Sequence, residues 1–309
     1  MELVTGSPVP TGGVVLAGEG MLEFSAAPSG QWRLGYGGDT LNVAIHLARL
    51  GLATRYLSAL GEDPLSRDLR EAWQREGVDT RLVLSDPERK PGLYLIRTDA
   101  AGERSFTFWR SESAARRMLS LPGSAVALEA SEGADLFVYS LITLAVLPAE
   151  ARELLFATLR RIRANGGRVA FDGNYRPQLW SSPTEARAAR ERALAECDFG
   201  LPTLEDENQM GQSGDAQAIA SHWLSCGAKE VVVKLGAEGC LAGGELIPPP
   251  RRLVPVDTSG AGDAFDAGYL SARLRGDSMR DAALAGHRLA AWGVQRPGAI
   301  PARDTDAPY

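Results

Sequence analysis

Lysine is nearly missing from this 309-residue chain: of 33 basic residues, only Lys90, Lys229 and Lys234 are lysines. They follow Arg89, Ala228 and Val233, so a Gly-Lys-Ser/Thr phosphate loop of the Walker A type is excluded. Cysteine is as scarce. Cys197, Cys226 and Cys240 are widely spaced, odd in number and outside any CxxC or His-paired spacing, which argues against a disulfide framework or a zinc site. They read as small buried hydrophobes in a reducing, cytoplasmic setting. Long apolar runs are also absent. The longest, residues 136–149, falls short of the roughly 20 residues needed to cross a bilayer and reads as a buried strand followed by a turn. No basic residue precedes Arg33, so the charged start of a secretory signal is missing. Excess positive charge is missing as well: a net charge of −6 and a pI near 5.3 give no electrostatic footprint for nucleic acid or an anionic membrane.

What is present is the composition of a soluble globular protein, 44% hydrophobic and 23% charged, long enough for one large domain or two unequal ones. Residues 1–13, rich in Gly, Pro, Ser and Thr, read as a flexible N-terminal extension, which leaves 14–309 as the folded unit. Val14 to Ala17 reads as a buried strand closed by Gly18. Asp39 to Gly51 shows helical spacing, with Asp39 or Thr40 as N-cap. Strands at 55–60, 136–140, 168–172, 199–201 and 230–235 alternate with helices at 64–76, 149–165, 184–196 and 216–226. A turn and a triple-proline loop over 241–253 precede two helical stretches, 262–275 and 280–295. This alternation predicts an α/β fold with a parallel sheet covered on both faces. Residues 92–109 interrupt it with a β-hairpin rich in aromatic and β-branched residues. In such sheets ligands bind beyond the C-terminal strand ends, here after Leu16, Leu60, Ser140, Asp172, Leu201, Leu235 and Val256.

The sharpest chemistry lies in Val256-Asp-Thr-Ser-Gly-Ala-Gly-Asp-Ala-Phe265. Gly260 and Gly262 bracket a tight turn just before a helix, leaving backbone N–H groups and the positive end of the helix dipole to face an anion. Asp263, in the first turn, has two readings: a carboxylate that stabilises the dipole, or a base for a hydroxyl attacking a phosphoryl group. A dinucleotide fingerprint is not met, because Phe265 stands where its third glycine belongs.

Asp257-Thr-Ser-Gly-Ala-Gly-Asp-Ala-Phe265 resembles the C-terminal signature of the ribokinase-like (PfkB) sugar kinases. Gly37-Gly-Asp-Thr-Leu-Asn42 with Ala48-Arg-Leu-Gly51 resembles their N-terminal one. Further segments resemble the branch of that family acting on 2-keto-3-deoxygluconate: Gly18-Glu19 through Glu23, Pro91 to Tyr94, Gly102 to Phe106 running into Trp109-Arg110, and Phe171 to Pro177 with Leu179-Trp180. The resemblance implies a three-layer α/β/α fold with a mostly parallel sheet and a small β lid formed by about 21–36 and 92–109. It implies ATP-dependent phosphorylation of the sugar's 6-hydroxyl. Asp263 would deprotonate that hydroxyl, and the amides of Gly260, Ala261 and Gly262 would form the anion hole. Gly38 and Asn42 would contact sugar hydroxyls, Tyr94, Arg110 and Arg176 the keto-acid end, and Phe108, standing where relatives often carry Tyr, would pack the sugar.

On the nucleotide side the resemblance implies Gly236, Gly239 and His287 around the adenosine, while Lys234 has two open readings, a phosphate contact or a strand-end cap. Mg²⁺ would accompany ATP. The family's Asn-x-x-Glu motif is here Thr203-Leu-Glu-Asp206, which makes Asp206 and Glu207 the metal candidates. Asp257 and Thr258 match a loop that holds a monovalent cation such as K⁺ in some relatives. The apolar lid implies a homodimer formed lid to lid, or a larger homo-oligomer. Two other readings stand beside this one: a kinase for another small sugar such as fructose, ribose or a nucleoside, and a non-catalytic sugar-binding protein on the same fold.

Overall fold

In the computed structural model, which describes residues 12–26, 30–98 and 104–309, strand β1 (Val14–Ala17) is buried along its whole length inside the larger sheet. Most of the N-terminal extension (residues 1–11) and of the hairpin tip (residues 99–103) lies outside the described residues. Two strands leave the sheet, β2 (Met21–Ala26) and β3 (Trp32–Gly37), followed by α1 (Asp39–Arg49), β4 (Thr54–Gly61), α2 (Pro64–Arg75) and β5 (Val83–Asp86). The hairpin is β6 (Gly92–Thr98) and β7 (Arg104–Trp109). Alternation resumes with α3 (Ser124–Ser131), β8 (Leu136–Ser140), α4 (Leu141–Val146), α5 (Ala149–Ala164), β9 (Arg168–Asp172), α6 (Pro183–Leu194) and β10 (Phe199–Leu201). The chain ends with α7 (Leu204–Gln209), α8 (Ala216–Ser225), β11 (Glu230–Lys234), β12 (Cys240–Ala242), β13 (Glu245–Ile247), α9 (Ala261–Arg275) and α10 (Met279–Gly293).

The nine-stranded sheet has the order β13-β12-β11-β10-β9-β8-β1-β4-β5, and every pairing is parallel except β11 with β12 and β12 with β13. Alternate residues of β1 enter different cores: Val14 and Leu16 pack with Leu41, Ala267 and Leu289, while Val15 and Ala17 pack with Leu155, Ala186 and Trp223. Burial on both faces of the inner strands makes the three layers. The chain moves from β1 outward to β4 and β5, then returns to β8 on the other flank. Strand order therefore reverses between β1 and β8, the crevice where open α/β sheets bind ligands.

The second sheet, β3-β2-β6-β7, is the lid. Cross-strand partners share a face, so one face carries Trp32, Leu34, Phe24, Leu95 and the other Glu23, Tyr94, Ile96, Phe106 and Phe108. Trp32, Leu34, Phe106, Phe108 and Trp109 remain exposed.

Three local expectations change. Gly38, rather than Asp39 or Thr40, caps α1; its φ of +152° and a Cβ that would lie 2.2 Å from the Glu19 carbonyl oxygen admit only glycine there. The stretch after Ser140 is a helix rather than a turn: Ser140 and Thr143 close a capping box, and all six residues of α4 are buried, so no amphipathic period marks it in the sequence. Residues 240–247 form a β-hairpin, with Gly243 and Gly244 both at positive φ in its two-residue turn. No helix among the described residues is long and apolar enough to cross a membrane.

Candidate active site

The turn into α9 is built by glycine and a staple. Gly260 caps the helix at φ +68°, and a Cβ on it would sit 2.8 Å from Ala299. Asp257 holds the loop: Oδ1 accepts from the Ser259 N–H at 2.8 Å, and Oδ2 accepts from the Gly298 N–H at 2.6 Å. No side chain caps this helix; the Ala261 N–H donates to the Thr258 carbonyl at 3.2 Å and the Ala264 N–H to that of Gly260 at 2.8 Å, which leaves the Gly262 and Asp263 amides of the first turn to face a ligand.

Asp263 follows in the first turn and is buried, with Asn42 Nδ2 donating to its Oδ2 at 2.7 Å. Burial pushes its carboxyl up to about 7, the neighbouring Asp39 adds to the rise, and the Asn42 hydrogen bond opposes it. Asn42 Oδ1 is buried with no hydrogen-bond partner among the described residues. Asp39, at the start of α1, accepts from Ser140 Oγ across the β1/β8 crevice, and burial raises its carboxyl too.

Lys234, the last residue of β11, is buried between two aspartates. Its Nζ donates to Asp172 Oδ1 at 3.0 Å and to Asp266 Oδ1 and Oδ2 at 3.1 and 2.9 Å. A Cβ on Gly262 would lie 3.7 Å from this Nζ, so the ammonium sits directly under the glycine turn.

The lid contributes Tyr94, whose hydroxyl donates to Glu23, and whose ring lies 5.8 Å from that of Phe108. A Cβ on Gly37 would reach the Tyr94 hydroxyl at 2.3 Å, so glycine there lets the lid strand approach. Arg110, just past β7, donates through Nε to Glu19 Oε2 at 2.7 Å, and its guanidinium also lies over the Phe108 ring. Glu19 is buried in the loop after β1, and Gly92, the first residue of β6, lies close against it: a Cβ there would meet Glu19 Oε1 at 2.5 Å. Arg176 is 43% exposed and pairs with Asp206 at 3.2 Å.

Two cavities lie among these residues, and the smaller includes the glycine turn. One of about 1210 Å³ is lined by Asp39, Phe108, Arg110, Ile142 and Arg176. The other, about 370 Å³, is lined by Lys234, Gly236, Gly239, Thr258, Gly262 and His287. His287 Nε2 donates to the Ile247 carbonyl at 2.9 Å, and its ring centroid lies 5.1 Å from that of Phe265. Gly239, at φ +106°, would drive a Cβ to 2.2 Å from the same carbonyl.

Glu207 lines neither cavity. It is wholly buried against Arg190, an ion pair that removes it as a metal candidate and leaves Asp206, which faces the charges of Asp172 and Lys234. Asp39, Glu19, Asp172 and Asp266 escaped the sequence reading as site residues. Asp172 ends a strand whose C-terminal edge faces a ligand in such sheets, and Asp266 lies three positions after Asp263 on the same helix; these placements are the signals the sequence offers.

A family model described as pfkB family carbohydrate kinase matches residues 15–306. The chain is 41% identical over 302 residues to the 2-dehydro-3-deoxygluconokinase of Escherichia coli (strain K12), spanning 94% of this chain and 97% of the relative. A PfkB protein from Polaromonas sp. JS666 shares the fold at a TM-score of 0.79 and 29% identity, covering 93% of this chain and 96% of that one. A fructokinase from Xylella fastidiosa, solved with bound ATP, does so at 0.78 and 25%, covering 96% and 95%. With the three-layer sheet, the lid and the glycine turn ahead of α9 already in place, these matches settle the family: the chain belongs to the pfkB carbohydrate kinases.

Proposed function

We propose that the protein transfers the γ-phosphoryl group of ATP to the 6-hydroxyl of 2-keto-3-deoxygluconate, giving 2-keto-3-deoxy-6-phosphogluconate and ADP. The observation that carries this reading is the pair of guanidinium groups, Arg110 and Arg176, lining one cavity with the Phe108 ring. Planar guanidinium forks suit a sugar carboxylate. The 41% identity to an enzyme named 2-dehydro-3-deoxygluconokinase supports the same substrate.

In the proposed reaction Asp263 takes the proton from O6, the O6–P bond forms as the bond from phosphorus to the bridging oxygen breaks, and ADP leaves with that electron pair. The Gly260 to Gly262 amides and the α9 dipole stabilise the charge on the moving phosphoryl group. Gly38 and Asn42 meet the sugar hydroxyls, and Tyr94 joins the arginines at the keto-acid end. The smaller cavity, with Gly236, Gly239 and His287, takes the nucleoside. Mg²⁺ is held by one or two carboxylates plus phosphate oxygens and waters, a donor set that Asp206 fits; when bound, it neutralises phosphate charge. A monovalent cation such as K⁺ at the Asp257–Thr258 loop is an accessory to this reading. Closing the lid excludes water from the transfer.

The exposed Trp32, Leu34 and Trp109, on the lid face away from Tyr94 and Phe108, support a homodimer formed lid to lid, since a small sheet with an uncovered apolar face is not stable alone. Sedimentation at micromolar concentration should give a dimer, and a monomer there removes the idea.

The substrate is tested by coupled ADP release with 2-keto-3-deoxygluconate, its galactonate epimer, fructose and ribose. The acid sugar should exceed fructose and ribose by at least about 100-fold in kcat/KM, since a site built for a charged group rejects analogues lacking it. Equal use of fructose would move the assignment to a neutral-sugar kinase. No ADP with any sugar would make the protein a non-catalytic binder.

A further inference from the structure

Lys234 is the one lysine of the three that is buried. Lys90 and Lys229 have side chains 61% and 65% exposed, while that of Lys234 is 9% exposed. It lies under the glycine turn and lines the smaller cavity, where a phosphate-binding role is the obvious reading. The hydrogen bonds argue otherwise. An ammonium has three protons, and Asp172 Oδ1, Asp266 Oδ1 and Asp266 Oδ2 occupy three acceptor positions at 3.0, 3.1 and 2.9 Å. A phosphate oxygen would compete for this ammonium with two buried carboxylates already in contact with it, and drawing the ammonium away would leave a buried aspartate short of its partner.

We propose that Lys234 is a positioning residue: its ammonium clamps Asp172 and Asp266, fixing the first two turns of α9 against the ends of β9 and β11, and donates no hydrogen bond to a nucleotide phosphate. The clamp joins three elements that meet nowhere in sequence. Asp172 ends β9, Lys234 ends β11, and Asp266 lies less than one turn beyond Asp263 on α9. The Gly262 backbone passes close above the lysine: a Cβ built on it would lie in ordinary contact with Nζ at 3.7 Å. Fixing this turn fixes both the free amides and the carboxylate of Asp263, the two parts that phosphoryl transfer needs in register.

The clamp also sets charge. Asp263 faces Asp39 from α1, Asp172 from β9, Asp266 from its own helix and the Tyr94 hydroxyl from the lid. Against these stand the Lys234 ammonium and the Asn42 amide, both of which hold its carboxyl down. The inference rests on the reading of Asp263 as the base.

Asp266→Asn is the decisive variant, since it keeps the lysine and the side-chain shape while releasing part of the clamp. A phosphate-contacting lysine, freed from one carboxylate, would hold ATP as well or better and keep its rate. The clamp predicts instead that kcat falls about tenfold or more while the Kd for ATP, titrated without sugar, changes less than about threefold. Lys234→Met should show the same split, with the acidic limb of kcat/KM moved to higher pH; if it does not fold, Asp266→Asn decides alone. The proposal is overturned if Asp266→Asn keeps the wild-type kcat, or if Lys234→Met weakens ATP binding about tenfold with kcat unchanged. A wild-type protein that turns over no sugar would mark failure of the kinase assignment, not of the clamp. The clamp is then read by hydrogen exchange of the amides from Gly262 to Asp266, which should quicken in Asp266→Asn; unchanged exchange would count against it.

Discussion

Asn42 Nδ2 donates to Asp263 Oδ2 at 2.7 Å, joining the start of α1 to the start of α9 across 221 residues of sequence. The bond favours the charged form of a carboxylate that burial drives the other way. Asn42→Ala should therefore raise the pH at which kcat/KM reaches its plateau and lower kcat by about tenfold or more, as expected for a group that orients a base. A pH–rate profile checks both. An unmoved profile with a lowered rate would mean that Asn42 acts on the sugar alone.

Asp263 must be deprotonated to accept a proton, and its carboxyl sits at about 7. In the free enzyme kcat/KM should fall about tenfold per pH unit below that value and level off above it. Asp39 is the charged neighbour that contributes most to the rise. Asp39→Asn removes a like charge, so the acidic limb should move to lower pH. A shift in the opposite direction would contradict the electrostatic account of the site.

Replacing the carboxylate itself is the sharpest test. Asp263→Asn keeps shape and burial but cannot take a proton, so kcat should fall by about 10²–10⁴, while sugar affinity, measured by calorimetry, stays within a few-fold. A variant with a near-wild-type rate would remove Asp263 as the base.

Much of this was legible before any coordinates. The β/α alternation, the interrupting hairpin and the Gly260–Asp263 turn are local patterns, and each stands where its spacing put it. What the sequence concealed was long-range pairing. Nothing near Lys234 announces that Asp172 and Asp266 enclose it, and nothing near Glu207 announces Arg190, because ion pairs across elements leave no period to read. The helix α4 was hidden for a different reason: it is buried all round, so its apolar run carries no amphipathic signature.

Arg190 and Glu207 give a stability prediction. Both side chains are fully buried, and Arg190 also lies 3.2 Å from His222 Nε2. Arg190→Met strands a buried carboxylate and should cost about 3–5 kcal/mol, a fall in Tm of order 10 °C by thermal unfolding. Adding Glu207→Leu should recover most of that loss. Because Glu207 adjoins Asp206 on α7, the single variant should also weaken Mg²⁺ dependence, which a purely distant core pair would not do.

Arg110 and Arg176 differ in how freely they meet a ligand. Glu19 engages Arg110 through Nε and its adjoining terminal nitrogen, so one edge of the guanidinium is spent on a buried carboxylate; in the proposed reading the other edge meets the substrate. Arg176 is half-exposed and, among the described residues, tied to Asp206 and the Tyr175 carbonyl. Arg110→Ala therefore strands Glu19 and should lower Tm as well as affinity, whereas Arg176→Ala should act on affinity with little change in Tm. A hydrogen bond to a charged group contributes about 1.5–3 kcal/mol, so each substitution should raise KM for 2-keto-3-deoxygluconate by about 10- to 150-fold. For a neutral sugar that the wild type turns over slowly, the rise in KM should stay within about threefold, because no charge is met there. Steady-state ADP release with the two sugars side by side separates the outcomes: equal losses for both would show that the arginines shape the cavity and do not read the carboxylate.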